Sequence, residues 1–249
     1  MLNERVRTVA EAAGADFVGI ADLSGVDDIL LDQGGPCVAR FPRAVSVGIA
    51  LMDPLVDLVE GPRDRTAGAL YQYHVFSVVN PSLDRCALSV ARCLQEAGYR
   101  AVPVPASLRT DDARLAGPVS HKLAAHLAGL GWIGKSCLLV TPERGPRVRW
   151  ITVLTDAPLE PTGGPCESRC GDCRACVEAC PAGAFTGRAF VPGEPREARF
   201  DAAACDRHYR AIEASGEPAA CGICVAVCPW GRCTGEGRGR PSEGVGKRP

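Results

Sequence analysis

Cys170-Gly171-Asp172-Cys173-Arg174-Ala175-Cys176-Val177-Glu178-Ala179-Cys180-Pro181 is the stretch from which the rest of the chain can be read. Further on stand Cys205 and then Cys221-Gly222-Ile223-Cys224-Val225-Ala226-Val227-Cys228-Pro229, a second run whose first cysteine is displaced upstream. In each run, cysteines at two-residue gaps lie on a tight loop and can wrap the corners of one iron–sulfur cubane. The next cysteine follows about one helical turn later and points away, toward a second cubane. The proline after it turns the chain and stops further helix. Paired Cys-x2-Cys units also make zinc ribbons, but a zinc site takes four ligands, and eight cysteines in two interlocked Cys-Pro motifs fit it poorly.

The first run has the spacing of bacterial two-cluster ferredoxins, letter for letter. It predicts two [4Fe-4S] clusters with crossed ligands. One cluster takes Cys170, Cys173, Cys176 and Cys228; the other takes Cys180, Cys205, Cys221 and Cys224. Cys166 reads as an additional thiol ahead of the motif. Cys37, Cys86, Cys93 and Cys137 lie in apolar surroundings and read as core residues.

Composition agrees with metal rather than disulfide chemistry for the 14 cysteines. The opening Met1-Leu2-Asn3-Glu4-Arg5-Val6-Arg7 is charged and has no apolar stretch, so no secretory leader is expected. No window approaches the roughly 18 apolar residues of a membrane span. A soluble, cytoplasmic protein keeps its thiols reduced, and many thiols there mean metal. With 249 residues, 46% of them apolar, the chain can bury a substantial core, and a formal charge of -1 gives no general pull toward nucleic acid or membranes.

Outward from the cysteines, residues 1–160 alternate strand and helix patterns and read as an α/β domain. Helix is expected over 3–13, 80–98 and 120–130, and strand over 15–23, 44–51 and 100–105. Residues 137–141 and 148–155 read as the two arms of a hairpin. A Pro- and Gly-rich break at 158–165 separates this domain from the cluster domain at 161–230. Residues 231–249 have hardly an apolar side chain and read as a disordered tail.

Gly129-Leu130-Gly131-Trp132-Ile133-Gly134-Lys135-Ser136 matches both phosphate-loop and dinucleotide patterns. Such loops follow a strand and open a helix, so that phosphate meets the helix N-terminus. This one follows a helix and leads into a strand, so nucleotide binding is not expected. Its glycines suit a tight turn that a large ligand could approach.

The same Gly129–Lys135 stretch resembles epoxyqueuosine reductases. So do Leu154-Thr155-Asp156-Ala157-Pro158-Leu159, the two cluster motifs ending Cys228-Pro229-Trp230, Tyr73-His74, and Phe41-Pro42-Arg43-Ala44-Val45-Ser46-Val47. The resemblance covers most of residues 10–230. It implies an N-terminal corrinoid-binding-like α/β domain followed by a bacterial two-cluster ferredoxin-like domain, with the clusters delivering electrons to a cobalamin for reductive chemistry. It further implies an external electron donor such as a flavodoxin or ferredoxin, and a tRNA or small-molecule substrate. The alternative is a non-catalytic ferredoxin-type carrier serving a partner enzyme.

One departure bears on chemistry. Those reductases carry an Asp-Ser-Ala-Pro stretch whose Asp donates the proton, and here Leu115-Ala116-Gly117-Pro118 stands in its place. The acid's role is therefore expected to move to His121, whose ordinary pKa near 6.5 suits proton transfer at neutral pH, with Tyr73 and Asp112 next. His74, Gly129, Gly131, Trp132 and Lys135 are the expected cofactor contacts. His121 and His126 are expected to face opposite ways, one to the core and one to solvent.

Overall fold

The computed structural model describes residues 1–61 and 64–232. In chain order the elements begin α1 (Leu2–Ala12), β1 (Phe17–Asp22), α2 (Asp27–Gly34), α3 (Pro36–Ala39), β2 (Arg43–Ala50), α4 (Asp53–Asp57) and α5 (Arg65–Gln72). A π-helical segment, Tyr73–Val79, carries α5 into α6 (Asn80–Glu96); β3 (Ala101–Val104), α7 (His121–Leu127), β4 (Trp132–Ile133), β5 (Leu139–Val140) and β6 (Val148–Thr155) follow. The cysteine-rich part holds only α8 (Ala175–Glu178), α9 (Ala202–Ala214), α10 (Ile223–Ala226) and two short 3-10 turns. The expected tail lies, from residue 233 on, outside the described residues.

The main sheet has the order β1-β2-β6-β3, and every neighbouring pair is antiparallel. Alternate side chains serve opposite faces. Val45, Val47, Ile151 and Val153 join α1 and α6 residues such as Val6, Leu83, Val90 and Leu94 in one core. Ala44 and Leu154 face the other way and pack with Leu30, Phe41, Ala124 and Ala128 in a second core. Burial on both faces is why β2 and β6 read as nearly continuous apolar runs.

Two expectations are corrected. The 137–141 and 148–155 runs do not form a hairpin with each other. β5 turns back on β4, with the Gly134 N–H donating to the Leu138 carbonyl at 2.9 Å. β6 instead lies between β2 and β3, the position in which both its faces are covered. Asn80-Pro81 is also not a fresh helix start. The π-helical turn runs straight into α6, so the wide turn directly precedes Pro81, whose missing N–H would break an α-helical ladder. The Asn80 side chain serves elsewhere: it donates to Ser107 Oγ at 2.5 Å and accepts from Arg149 Nε at 3.1 Å.

The 158–165 break is packed rather than loose. Thr162 pairs along β1, its N–H donating to the Ile20 carbonyl at 3.0 Å and its hydroxyl accepting from the Ile20 N–H at 2.9 Å.

Candidate functional site: two cysteine cages beside a large cavity

Each Cys-x3-Cys interval spans one short helix. Cys176 lies in α8 and Cys180 follows it; Cys224 lies in α10 and Cys228 follows it. Cys205 sits in the first turn of α9, where Asp201 caps the helix by accepting from the Ala204 N–H at 2.8 Å.

The neighbourhoods of the thiols sort them into two groups. Burial, then Cys170 and Cys173, pushes the Cys176 thiol up to about 11. Burial, then Cys170 and Cys176, pushes Cys228 up to about 12, against the Trp230 and Gly231 N–H groups that hold it down. Cys205 goes up to about 11 through burial and its neighbours Cys221 and Cys180. Cys224 is raised further by burial, then by Cys221, Cys205 and Cys180, with Cys176 contributing least. A cavity of about 170 Å³ is lined by Cys180, Cys205, Cys221 and Cys224 together.

Such crowding of desolvated thiols disfavours thiolates, and a cationic iron core is what reverses that balance. The donor set therefore fits cubanes. Among the described residues no three His, Cys, Asp or Glu side chains converge as ligands of a single metal ion do; a cubane puts each thiolate on a separate iron and asks for a wider cage.

A second cavity, about 610 Å³, lies between the sheet domain and the cysteine-rich part. The Leu115–Gly117 loop, the start of α7, β6 and the 190–199 segment enclose it. It shares Leu138, Val148 and Arg149 as a common wall with the small cavity. Trp150 lines it, is 8% exposed, and its indole N–H has no partner among the described residues. Lys122 also lines it, and its ammonium donates to the Cys137 carbonyl at 2.6 Å. Burial, helped by Arg196 and Arg199, pulls the Lys122 pKa below its ordinary value. The cavity thus offers an unsatisfied donor and a desolvated cation to an acceptor-rich occupant.

The expected site residues divide sharply. Leu115, at the position of the resemblance's acid, does line the large cavity, in a left-handed conformation (φ 52°) rare for a branched side chain. His121 lines it too, but the reason for choosing it fails. Its Nε2–H donates to the Pro105 carbonyl at 3.2 Å and its Nδ1 accepts from the Thr152 hydroxyl at 2.9 Å, the tautomer these two partners favour. Burial pulls its pKa down to about 4, so the ring is neutral at pH 7 and both nitrogens are engaged.

Tyr73, Asp112 and His74 lie away from both cavities. Tyr73 is 65% exposed on the π-helical segment. Asp112 is exposed. His74 accepts from the Met52 N–H at 3.2 Å, and burial lowers its pKa. His126 is buried, not turned to solvent, and its Nδ1–H donates to the Gly131 carbonyl at 3.0 Å. Cys37 is exposed rather than core.

The Gly129–Lys135 stretch borders neither cavity except through Ile133. Its glycines accommodate protein rather than ligand. A side chain at Gly131 would meet the Val140 carbonyl oxygen at 2.3 Å, and Gly129 (φ 77°) abuts the backbone of Gly163 and Gly164. Trp132 is buried edge-on against Trp230, at 4.9 Å between ring centroids. Lys135 turns to the cysteine loop, donating to the carbonyls of Gly171 and Cys173 at 2.6 and 3.2 Å. Lys122, Trp150 and Arg149 were not identifiable as site residues from sequence, because apolar periodicity treats all three as ordinary members of α7 or β6.

The cages and the cavity beside them describe a class: an iron–sulfur protein with paired cubane sites set against an α/β ligand domain. Residues 169–231 match the 4Fe-4S double cluster binding domain, and the chain carries that module. Its fold is that of reductive dehalogenases and epoxyqueuosine reductases. A structure described as suggesting a mechanism for B12-dependent dehalogenation aligns at TM-score 0.65 and 22% identity, covering 92% of this chain and 31% of that one. Epoxyqueuosine reductase solved with an epoxyqueuosine-modified tRNA-Tyr stem loop aligns at TM-score 0.60 and 22% identity, covering 93% and 66%.

In sequence the particular relatives are epoxyqueuosine reductases, and the chain resembles that family. It is 37% identical to the Synechococcus sp. (strain RCC307) protein over 113 residues, 45% of this chain and 35% of the relative. It is 33% identical to the Listeria monocytogenes protein over 127 residues, 47% of this chain and 31% of the relative. The matched stretch spans about a third of the length of these relatives. Among the described residues no helix is long and apolar enough to cross a membrane.

Proposed function

We propose that the protein is a cytoplasmic corrinoid-dependent reductase in which two [4Fe-4S] clusters carry electrons singly from an external flavodoxin or ferredoxin to an occupant of the large cavity. One cluster is held by Cys170, Cys173, Cys176 and Cys228, the other by Cys180, Cys205, Cys221 and Cys224. Residues 161–230 form the cluster domain, and residues 1–160 supply most of the cavity. The observation that carries this reading is the common wall: Leu138, Val148 and Arg149 line both the four-cysteine cavity and the 610 Å³ one. A ferredoxin-type carrier would leave that cavity without a use.

When bound, a corrinoid supplies a cobalt centre able to accept the electrons and cleave a carbon–oxygen or carbon–halogen bond. The chain's own residues bind and supply protons. The unpartnered Trp150 N–H and the Lys122 ammonium hold acceptor groups of the occupant. With Leu115 in the acid's place and His121 neutral, the role of proton donor passes to Lys122, a cavity-lining ammonium whose pKa burial lowers from its ordinary value. The relatives' name and the tRNA stem loop bound to one solved neighbour make a modified tRNA base the first substrate to try, ahead of small molecules.

Anaerobic reconstitution should give about eight irons per chain, followed by an absorbance change on titration with cobalamin. One zinc and no iron would refute the clusters. Iron uptake with no spectral response to cobalamin would return the protein to the carrier reading. Lys122→Met should keep iron and cobalamin binding while lowering turnover by about a hundredfold or more; full activity in that variant would place the proton source elsewhere.

A further inference from the structure

The glycine-rich stretch borders the large cavity only through Ile133, yet it contacts the first cysteine loop directly. β4 and β5 form a small hairpin whose turn runs from Gly134 to Leu138, closed by the Gly134 N–H on the Leu138 carbonyl and the Cys137 N–H on the Gly134 carbonyl, both at 2.9 Å. Trp132 and Val140 on this hairpin pack with Trp230, Cys166, Cys170 and Cys228. A side chain at Gly134 would stand 2.9 Å from Val140 and 3.5 Å from Cys170 Sγ, so the missing Cβ makes room for Val140 and leaves the turn in contact range of that thiol. The next residue, Lys135, reaches over the loop. Its ammonium donates to the Gly171 carbonyl at 2.6 Å and to the Cys173 carbonyl at 3.2 Å.

We propose that Lys135 is the positioning residue of the Cys170 cluster: it straps the Cys170–Cys173 loop to the β4–β5 turn and places a fixed positive charge beside that cluster, raising its reduction potential. The inference rests on the double-cluster reading but not on the corrinoid. Two carbonyl oxygens of one tight loop converge on a single ammonium, which ties both points of the loop to one side chain. Reduction adds one negative charge to a cluster, and a cation held at the loop backbone stabilises that state. The cage of Cys180, Cys205, Cys221 and Cys224 is lined by Arg149 and not by Lys135, so the effect should be larger at the Cys170 cluster.

The test is a redox titration of the reconstituted full chain followed by electron paramagnetic resonance, with iron content measured on each sample. Lys135→Met should lower the reduced-to-oxidised ratio of the Cys170 cluster about tenfold at fixed potential, a shift of about 59 mV for a one-electron couple, and leave the other cluster in place. Lys135→Arg should titrate close to wild type. Should Lys135→Met lose iron, Lys135→Gln decides, because its amide N–H groups can still bind the two carbonyls without the charge. A lowered potential with iron retained in Lys135→Gln supports the proposal. Wild-type potentials in both neutral variants, or equal shifts of both clusters, would overturn it. Failure of the wild-type chain to take up iron would overturn the cluster reading as well, whereas failure to bind cobalamin would leave this inference standing.

Discussion

The two cysteine cages are built from the same motif and sit in opposite surroundings. The Cys170 cage is shallow: Cys173 is exposed, and the loop is held from outside by a lysine. The Cys180 cage is deep, walled by Tyr71 and Tyr209, whose hydroxyl pKa values are raised by burial, and backed by Arg149. Among the described residues Arg149 has no carboxylate partner; its Nε donates to Asn80 and its guanidinium lies over Phe76 at 5.3 Å. A buried guanidinium without a carboxylate is costly unless some other negative charge faces it. A reduced cluster in the adjoining cage is such a charge. The contrast gives the module a direction. On the proposed function, the shallow cage is the side open to an outside donor, and the deep cage is the side that shares wall residues with the large cavity.

The largest effect should come from breaking the crossing of ligands that joins the two sites. Cys180→Ala removes a thiol that belongs to the first motif by sequence and lines the second cage in space. Iron should fall from about eight to about four per chain, with the Cys180 cage emptied and the Cys170 cluster retained. Resonance spectra that instead show loss of the shallow cluster would overturn the crossed assignment and leave the number of clusters untouched.

What the sequence makes legible follows from where each constraint is written. Cluster spacing is a local matter, because one loop and one helical turn must present the thiols, and the order of residues records it directly. The apolar runs that became β2 and β6 are also local. Their partners are not: β6 reaches back to Arg43–Ala50 across about a hundred residues, and no turn chemistry announces that pairing. The large cavity is harder still, since Leu115, Lys122, Trp150 and Arg199 come from separate elements. Tyr73 and His74 looked suited to a pocket, but the π-helical turn that carries them is set by Pro81 and leaves Tyr73 outside. Lys135 was noticed in its motif, and the carbonyls it serves lie in a loop 36 and 38 positions away.

The smallest effect probes the cavity side of the comparison through His121. Its pKa is about 4 in the folded protein and near 6.5 in an unfolded chain. The cause is burial, opposed in part by the Pro105 carbonyl that accepts from the ring. Above pH 6.5 both states are neutral at this residue, and it contributes nothing to the pH dependence of stability. As pH falls from 6.5 toward 4, the unfolded chain takes up a proton that the folded ring refuses, so stability is lost. Between pH 7 and 5.5 the loss from this residue should be about 1.2 kcal/mol. Denaturant titrations at those two values, on wild type and on His121→Gln, separate it from His74, which shifts the same way in both proteins. The variant should lose less stability on acidification by about that amount, with an unchanged denaturant slope. Identical pH dependence in the two proteins would mean that His121 is as free to charge as in water. The ring would then return as the cavity's acid, and the assignment of that role to Lys122 would fall.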